Sequence, residues 1–160
     1  MKKRLILFAA ILGIVFAVDL CSKYWTAALT MDSMHVFSWG AIDLFLTPTL
    51  NRGAAWGMFA SFTTQLLIFR IAVMSYLAYI FLKSDSRMQE VALALIFSGA
   101  FCNVFDILYR GHVVDMIHFL FWSRSYGVFN IADAAIFSGA ALLFIYLSIK
   151  KRHAKHASDS

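Results

Sequence analysis

The chain has 160 residues, of which 61% are hydrophobic and only 14% charged, with a mean hydropathy of +0.74. That balance excludes an ordinary soluble globular domain and points to a membrane protein. The net charge of +5 lies beside apolar stretches, which suits orientation and anchoring to anionic lipid rather than nucleic-acid binding.

An α-helix needs about 20 apolar residues to cross the hydrocarbon of a bilayer. Residues 5–24 form the first candidate span; they are apolar without interruption to Val18 and then carry Asp19 and Lys23. The segment could pass for a secretory signal peptide, but a lipoprotein-type cleavage needs a small residue before Cys21, and Leu20 stands there. A retained first span is expected. Residues 25–63 follow as an outer segment, where Phe37, Trp39, Ile42, Leu44 and Leu46 partly alternate up to Pro48, the only proline. This pattern predicts a short surface strand. In Asn51-Arg52-Gly53-Ala54-Ala55-Trp56-Gly57 the glycines permit tight turns and the alanines allow another chain to come close.

Residues 64–82 and 91–108 supply the second and third spans. A second outer segment, 109–131, contains Val113-Val114 and the aromatic run Phe119 to Trp122, which favour extended or irregular structure. Residues 132–149 form the fourth span and 150–160 a basic tail. No Pro-, Gly- or Ser-rich linker divides the chain, so residues 1–160 are read as one integral membrane domain. Trp25, Trp39, Trp56 and Trp122 all fall in the outer segments, as an interfacial belt would. Cys21 and Cys102 lie in apolar spans and are expected to be unpaired packing residues.

Basic residues set the orientation. Lys2, Lys3, Arg4, Lys83, Arg87, Lys150, Lys151, Arg152 and Lys155, nine in all, flank one side of the spans, against Arg52, Arg110 and Arg124 on the other. The positive-inside rule places both termini and the turn 83–90 in the cytoplasm.

Under that topology Asp19, Lys23, Asn51, Asn103, Asp106, Arg110, Asp115, Asn130 and Asp133 gather toward the outer leaflet. A carboxylate in a helix at mid-bilayer costs about 2.5–3.5 kcal/mol, so each needs a partner or a task. Asp19 and Lys23, spaced i, i+4, suit a helical ion pair, and Asn103 and Asp106, spaced i, i+3, suit interhelical hydrogen bonding. Asp133 opens the fourth span, where a helix N-terminus favours an anion; no such capping accounts for Asp115. If the two carboxylates meet, they share a proton: one activates water as a base while the other polarises a carbonyl and later protonates the leaving amine. Neither cysteine lies near an external histidine, and no serine stands in a nucleophile elbow. His112, Asp115 and His118, with Asp133 or Asp106, are a possible metal set, but extended structure would scatter them and no metal is expected. A proton-coupled transporter using Asp19, Lys23, Asp106 and Arg70 would need polar residues through the bilayer depth, and most here lie at one face.

A match from Asp19 to Gly139 carries a family resemblance and rests on five motifs in order: Asp19 with Lys23, Asn51-x-Gly53-Ala54-Ala55-Trp56-Gly57, Gly99-x-x-x-Asn103-x-x-Asp106, Gly111-x-Val113-Val114-Asp115 and Phe129-Asn130-x-Ala132-Asp133. The chain resembles the bacterial lipoprotein signal peptidases, or signal peptidase II. The resemblance implies an aspartyl endopeptidase of the inner (cytoplasmic) membrane; no cofactor is expected, and nothing in the sequence requires more than a monomer. Such an enzyme cuts diacylglyceryl-modified prolipoproteins just before the lipidated cysteine. It implies Asp115 and Asp133 as the catalytic pair, with Asp19, Lys23, Asn51, Gly53, Asn103, Asp106, Asn130 and Ala132 supporting the pair and the substrate backbone. It further implies four transmembrane helices with a small external β-cradle and a mobile amphipathic surface helix, matched here by the run Val36 to Leu46 and the segment after Asn51. The family usually has arginine directly after the third-motif aspartate; Ile107 stands there, and Arg110, almost one turn later, is the nearest substitute.

Overall fold

The computed structural model describes residues 1–29, 33–53, 58–122 and 124–158. Four helices are long and apolar enough to cross a membrane. They are α1 (Lys2–Leu29), α2 (Thr63–Leu82), α3 (Arg87–Arg110) and α4 (Ile131–Ser158). A helix satisfies its own backbone groups, which hydrocarbon cannot do. Ile14, Ile68, Phe69, Phe137 and Phe144 therefore project outward, available to lipid. α3 is the central helix: 56% of its apolar window is buried in protein, against 6–22% for the other three. Small residues let α4 lie against it. A Cβ on Gly99 would stand 2.2 Å from the Ala132 carbonyl oxygen, and one on Gly139 would stand 2.6 Å from that of Ala92.

One end of the bundle is stitched by polar contacts. Ser86 caps α3 by accepting from the Gln89 N–H at 3.1 Å. Arg4 reaches from α1 to Glu90 at 2.7 Å and to the carbonyls of Leu82 and Ser84, each at 2.9 Å. Tyr146 and Lys150 of α4 both donate to Asp85, Lys150 at 2.5 Å. Phe8 packs against Phe81 and Phe97 beneath this layer, with ring centroids 4.8 and 5.0 Å apart.

The other end carries an antiparallel sheet of order β1-β2-β3-β4, formed by β1 (Met34–Trp39), β2 (Ile42–Asn51), β3 (Val113–Phe121) and β4 (Arg124–Phe129). Where the sequence pattern implied one strand across Val36 to Leu46, the chain folds back at Gly40, whose φ of +60° suits the turn. Pro48 sits where the β2–β3 register shifts between Leu46 and Thr49, so its missing N–H interrupts no ladder pair. The second outer segment is regular, forming the hairpin β3–β4. The Trp122 N–H at its tip donates to the Ala41 carbonyl at 2.8 Å, joining the two hairpin turns.

The expected surface helix is only a 3-10 turn, Ala60–Phe62, among the described residues; positions 54–57, including Trp56, lie outside them. Trp25, Trp39 and Trp122 are exposed at this end. Cys21 and Cys102 are both free thiols.

Candidate active site

Asp115 lies on β3, opposite Thr49 of β2. α3 ends at Gly111, whose φ of +76° lets the chain leave the helix and enter the strand two residues later. Strand alternation then turns Val113 and Asp115 toward one cavity and Val114 away from it. Asp133 lies in the first turn of α4. Its N–H donates to Asn130 Oδ1 at 2.8 Å, and its own Oδ2 accepts the Asn130 N–H at 3.3 Å, a reciprocal cap of the helix start. Capping thus accounts for one oxygen of Asp133. The other accepts Asn103 Nδ2 at 2.8 Å.

Asn130 joins the two carboxylates. Its Nδ2 donates to Asp115 Oδ1 at 2.7 Å and lies 3.1 Å from Asn103 Oδ1 and 3.3 Å from the Val114 carbonyl. Asn51 Nδ2 donates to Asp115 Oδ2 at 3.1 Å, while Asn51 Oδ1 accepts the Gly53 N–H at 2.9 Å. Burial pushes the Asp115 carboxyl up to about 6; the Asn51 bond opposes this, the charge of Asp133 adds to it, and the Asn130 bond and Lys23 oppose it again.

A cavity of about 440 Å³ exposes Asp115 and Asp133 together with Asn51, Gly53, Arg70 and Asn103. Its apolar wall is formed by Val128 and Phe129 of β4 and by Ile136, Phe137 and Ala140 of α4. Arg70 enters from α2, so the cavity lies between α2 and α4, two helices that pack on α3 and contact each other little.

Behind the carboxylates stands a buried ionic layer. Lys23 Nζ is 2.6 Å from Asp19 Oδ2 and 2.6 Å from Asp106 Oδ2. Asp19 accepts the Ala132 N–H at 2.9 Å, and Asp106 accepts the Val114 N–H at 3.5 Å. Each carboxylate therefore grips the backbone one residue before Asp133 or Asp115, and Lys23 ties the two grips together. Arg110 donates to Asp106 Oδ1 at 2.6 Å. It belongs to this layer and is not among the residues lining the cavity.

The guanidinium that does line the cavity is Arg70, which the sequence motifs did not single out for this site. The only signal was a lone arginine in an otherwise apolar span. His118 is three residues from Asp115 on a strand and so faces the other way; its ring is engaged by Ser125 at 2.8 Å and Thr47 at 3.3 Å. Among the described residues no group of three or more His, Cys, Asp or Glu is placed to hold a metal ion.

The signal peptidase (SPase) II family matches residues 11–149. A lipoprotein signal peptidase of Chlamydia trachomatis serovar L2b (strain UCH-1/proctitis) is 40% identical over 126 residues, 76% of this chain and 75% of its own length. One from Anoxybacillus flavithermus (strain DSM 21510 / WK1) is 39% identical over 118 residues, covering 72% and 70%. A solved bacterial membrane enzyme superposes with a TM-score of 0.80 at 29% identity, covering 90% of this chain and 88% of that one. A second gives 0.76 at 30% identity, covering 88% and 91%.

Proposed function

Because the chain belongs to the signal peptidase II family and is a multi-pass membrane peptidase that processes lipoproteins, we propose that Asp115 and Asp133 perform its hydrolysis as an aspartic dyad. The observation that carries this reading is their joint exposure to one cavity, with Asn130 bonded to both. Burial favours the neutral form of Asp115, which supports a reading with Asp115 as holder of the shared proton and Asp133 as the base. Asp133 takes a proton from water as the water oxygen attacks the scissile carbonyl carbon. Asp115 donates its proton to the carbonyl oxygen, giving a neutral gem-diol. Asp133 then passes its proton to the leaving nitrogen, the C–N bond breaks, and Asp115 recovers a proton from the collapsing diol. Asn51, Asn103 and Asn130 hold the carboxylates in place without adding a charge that would freeze the proton on one side.

The substrate is a diacylglyceryl-modified prolipoprotein, cut before its lipidated cysteine. Such a peptide stays anchored in the bilayer and has to reach the site sideways. The cavity between α2 and α4, with its apolar α4 wall, suits that route. Nine basic residues flank one side of the spans and three the other, which supports cytoplasmic termini in the inner membrane and an active site near its outer leaflet. The stitching of Arg4, Asp85 and Lys150 at the end remote from the sheet agrees with that sidedness. The chain acts as a monomer, with substrate and membrane lipid as its partners and no cofactor, metal or nucleic acid. Cleavage of a diacylglyceryl-modified peptide by the pure protein, compared with Asp115→Asn and Asp133→Asn, tests the proposal; normal cleavage by either variant rejects it.

A further inference from the structure

Arg70 is costly where it stands. It is the single charged residue in the 20-residue helix α2, and a cation at mid-span costs about 2.5–3.5 kcal/mol on insertion scales. One part of its guanidinium has a structural partner: Nη2 donates to the Gly53 carbonyl at 2.9 Å. The other does not. Nη1 is buried and has no hydrogen-bond partner among the described residues. Asp115 and Asp133 are close enough for their charge to act on Arg70, yet the hydrogen bonds of both carboxylates described above come from asparagines and backbone N–H groups. A guanidinium is a planar fork, so fixing Nη2 on Gly53 also fixes the direction of Nη1. A buried donor left unpaired costs about 1–3 kcal/mol, which favours a missing acceptor over an idle nitrogen.

That acceptor must satisfy three constraints. It must sit in the cavity shared with the dyad, it must carry a lone pair, and it must be absent from the described residues of the folded chain. An extended peptide lying between the carboxylates presents main-chain carbonyls, and these fit all three. Gly53 adds a geometric reason: its backbone lies at the cavity wall with no side chain in the way, so the tether that aims Arg70 also leaves room for the peptide.

We propose that Arg70 is a substrate-positioning residue whose Nη1 donates to a main-chain carbonyl of the peptide bound beside Asp115 and Asp133, with the Gly53 carbonyl holding the guanidinium in register. This rests on the peptidase reading above. It assigns Arg70 to substrate recognition and Arg110, bonded to Asp106, to the architecture behind the dyad.

The test uses the full chain in detergent with a synthetic diacylglyceryl-modified prolipoprotein peptide. Affinity is measured in an Asp133→Asn background and kcat/KM in the otherwise intact enzyme. Arg70→Met is expected to weaken affinity and kcat/KM by about 10- to 100-fold, the scale of a lost charge-assisted hydrogen bond. Arg70→Lys keeps the charge but cannot hold Gly53 and a second acceptor in one plane, so it is expected to remain at least about tenfold below the parent. The kcat/KM pH profile is expected to keep its shape in Arg70→Lys, which retains the charge beside the carboxylates. Affinity within about twofold of the parent in both variants overturns the proposal. So does a loss that follows the fraction of folded protein, and so does a shifted pH profile at unchanged affinity, which would place Arg70's action on the carboxylates instead. If the parent enzyme fails to cleave the peptide, the peptidase reading falls and the Arg70 assignment falls with it.

Discussion

Asn130 Nδ2 donates to Asp115 Oδ1 at 2.7 Å, while the same residue caps the helix that carries Asp133 in its first turn. One side chain thereby sets the spacing between a strand carboxylate and a helix carboxylate. Asn130→Ala removes both connections. Loss of the cap alone is expected to cost about 1 kcal/mol of stability. Loss of the bridge is expected to lower kcat/KM by roughly 10- to 100-fold beyond any loss of folded protein. Steady-state cleavage together with thermal unfolding in detergent checks this, and unchanged kcat/KM would show that Asn130 serves helix capping only.

Lys23 stands between Asp19 and Asp106, each of which holds the backbone just before one of the dyad members. Breaking a buried pair from one side typically costs about 3–5 kcal/mol, because the charges left behind stay buried. Lys23→Met is therefore expected to unfold at markedly lower temperature and to lose most activity. Adding Asp19→Asn removes one stranded charge while its amide oxygen can still accept the Ala132 N–H, so the double variant is expected to recover part of the stability. A double variant no more stable than Lys23→Met would count against the clamp.

The Asp115 carboxyl, raised by burial from an ordinary 3.8 to about 6, gives two pH signatures. As proton donor it has to be protonated, so kcat/KM is expected to fall as pH rises through about 6 in the free enzyme. Removing the Asn51 bond, which favours the charged form, moves that limb to higher pH. For stability the sign is set by proton binding: between about 4 and 6 the folded chain holds a proton that the unfolded chain has released. Stability from this group is thus present below that window and lost as pH rises through it, by at most about 3 kcal/mol for two pK steps. Unfolding midpoints measured from pH 4 to pH 7 are expected to decline less in Asp115→Asn than in the parent. Parallel declines would contradict the assignment.

Much of this architecture is written locally in the chain. The four spans are legible because apolar composition over about 20 residues needs no knowledge of partners. Asp19, Lys23, Asn103, Asp115, Asn130 and Asp133 stand out because polar groups in or beside such runs are rare. The hairpin at Gly40 was harder to see, since Trp39-Gly40-Ala41-Ile42 lacks the Asn-Gly or Asp-Gly signal of a tight turn. Strand β3 was legible only as extended or irregular structure, because Val113 to Met116 is buried on both faces and shows no polar alternation to mark a regular strand. Arg70 hid for a different reason. Its partner is a backbone carbonyl 17 residues away, and no side-chain motif encodes such a contact. Similarly, Asp19 with Lys23 could be paired by i, i+4 spacing, but the bond from Lys23 to Asp106 joins two helices.

The most direct measurement is cleavage of a diacylglyceryl-modified prolipoprotein by the pure chain, with a chelator present, alongside Asp115→Asn and Asp133→Asn. A two-aspartate mechanism requires the parent to cut before the lipidated cysteine at an undiminished rate in chelator. It also requires each variant, still folded, to be slower by at least about 10³-fold. Parent-like cleavage by either variant, or loss of the parent's activity in chelator, would contradict it.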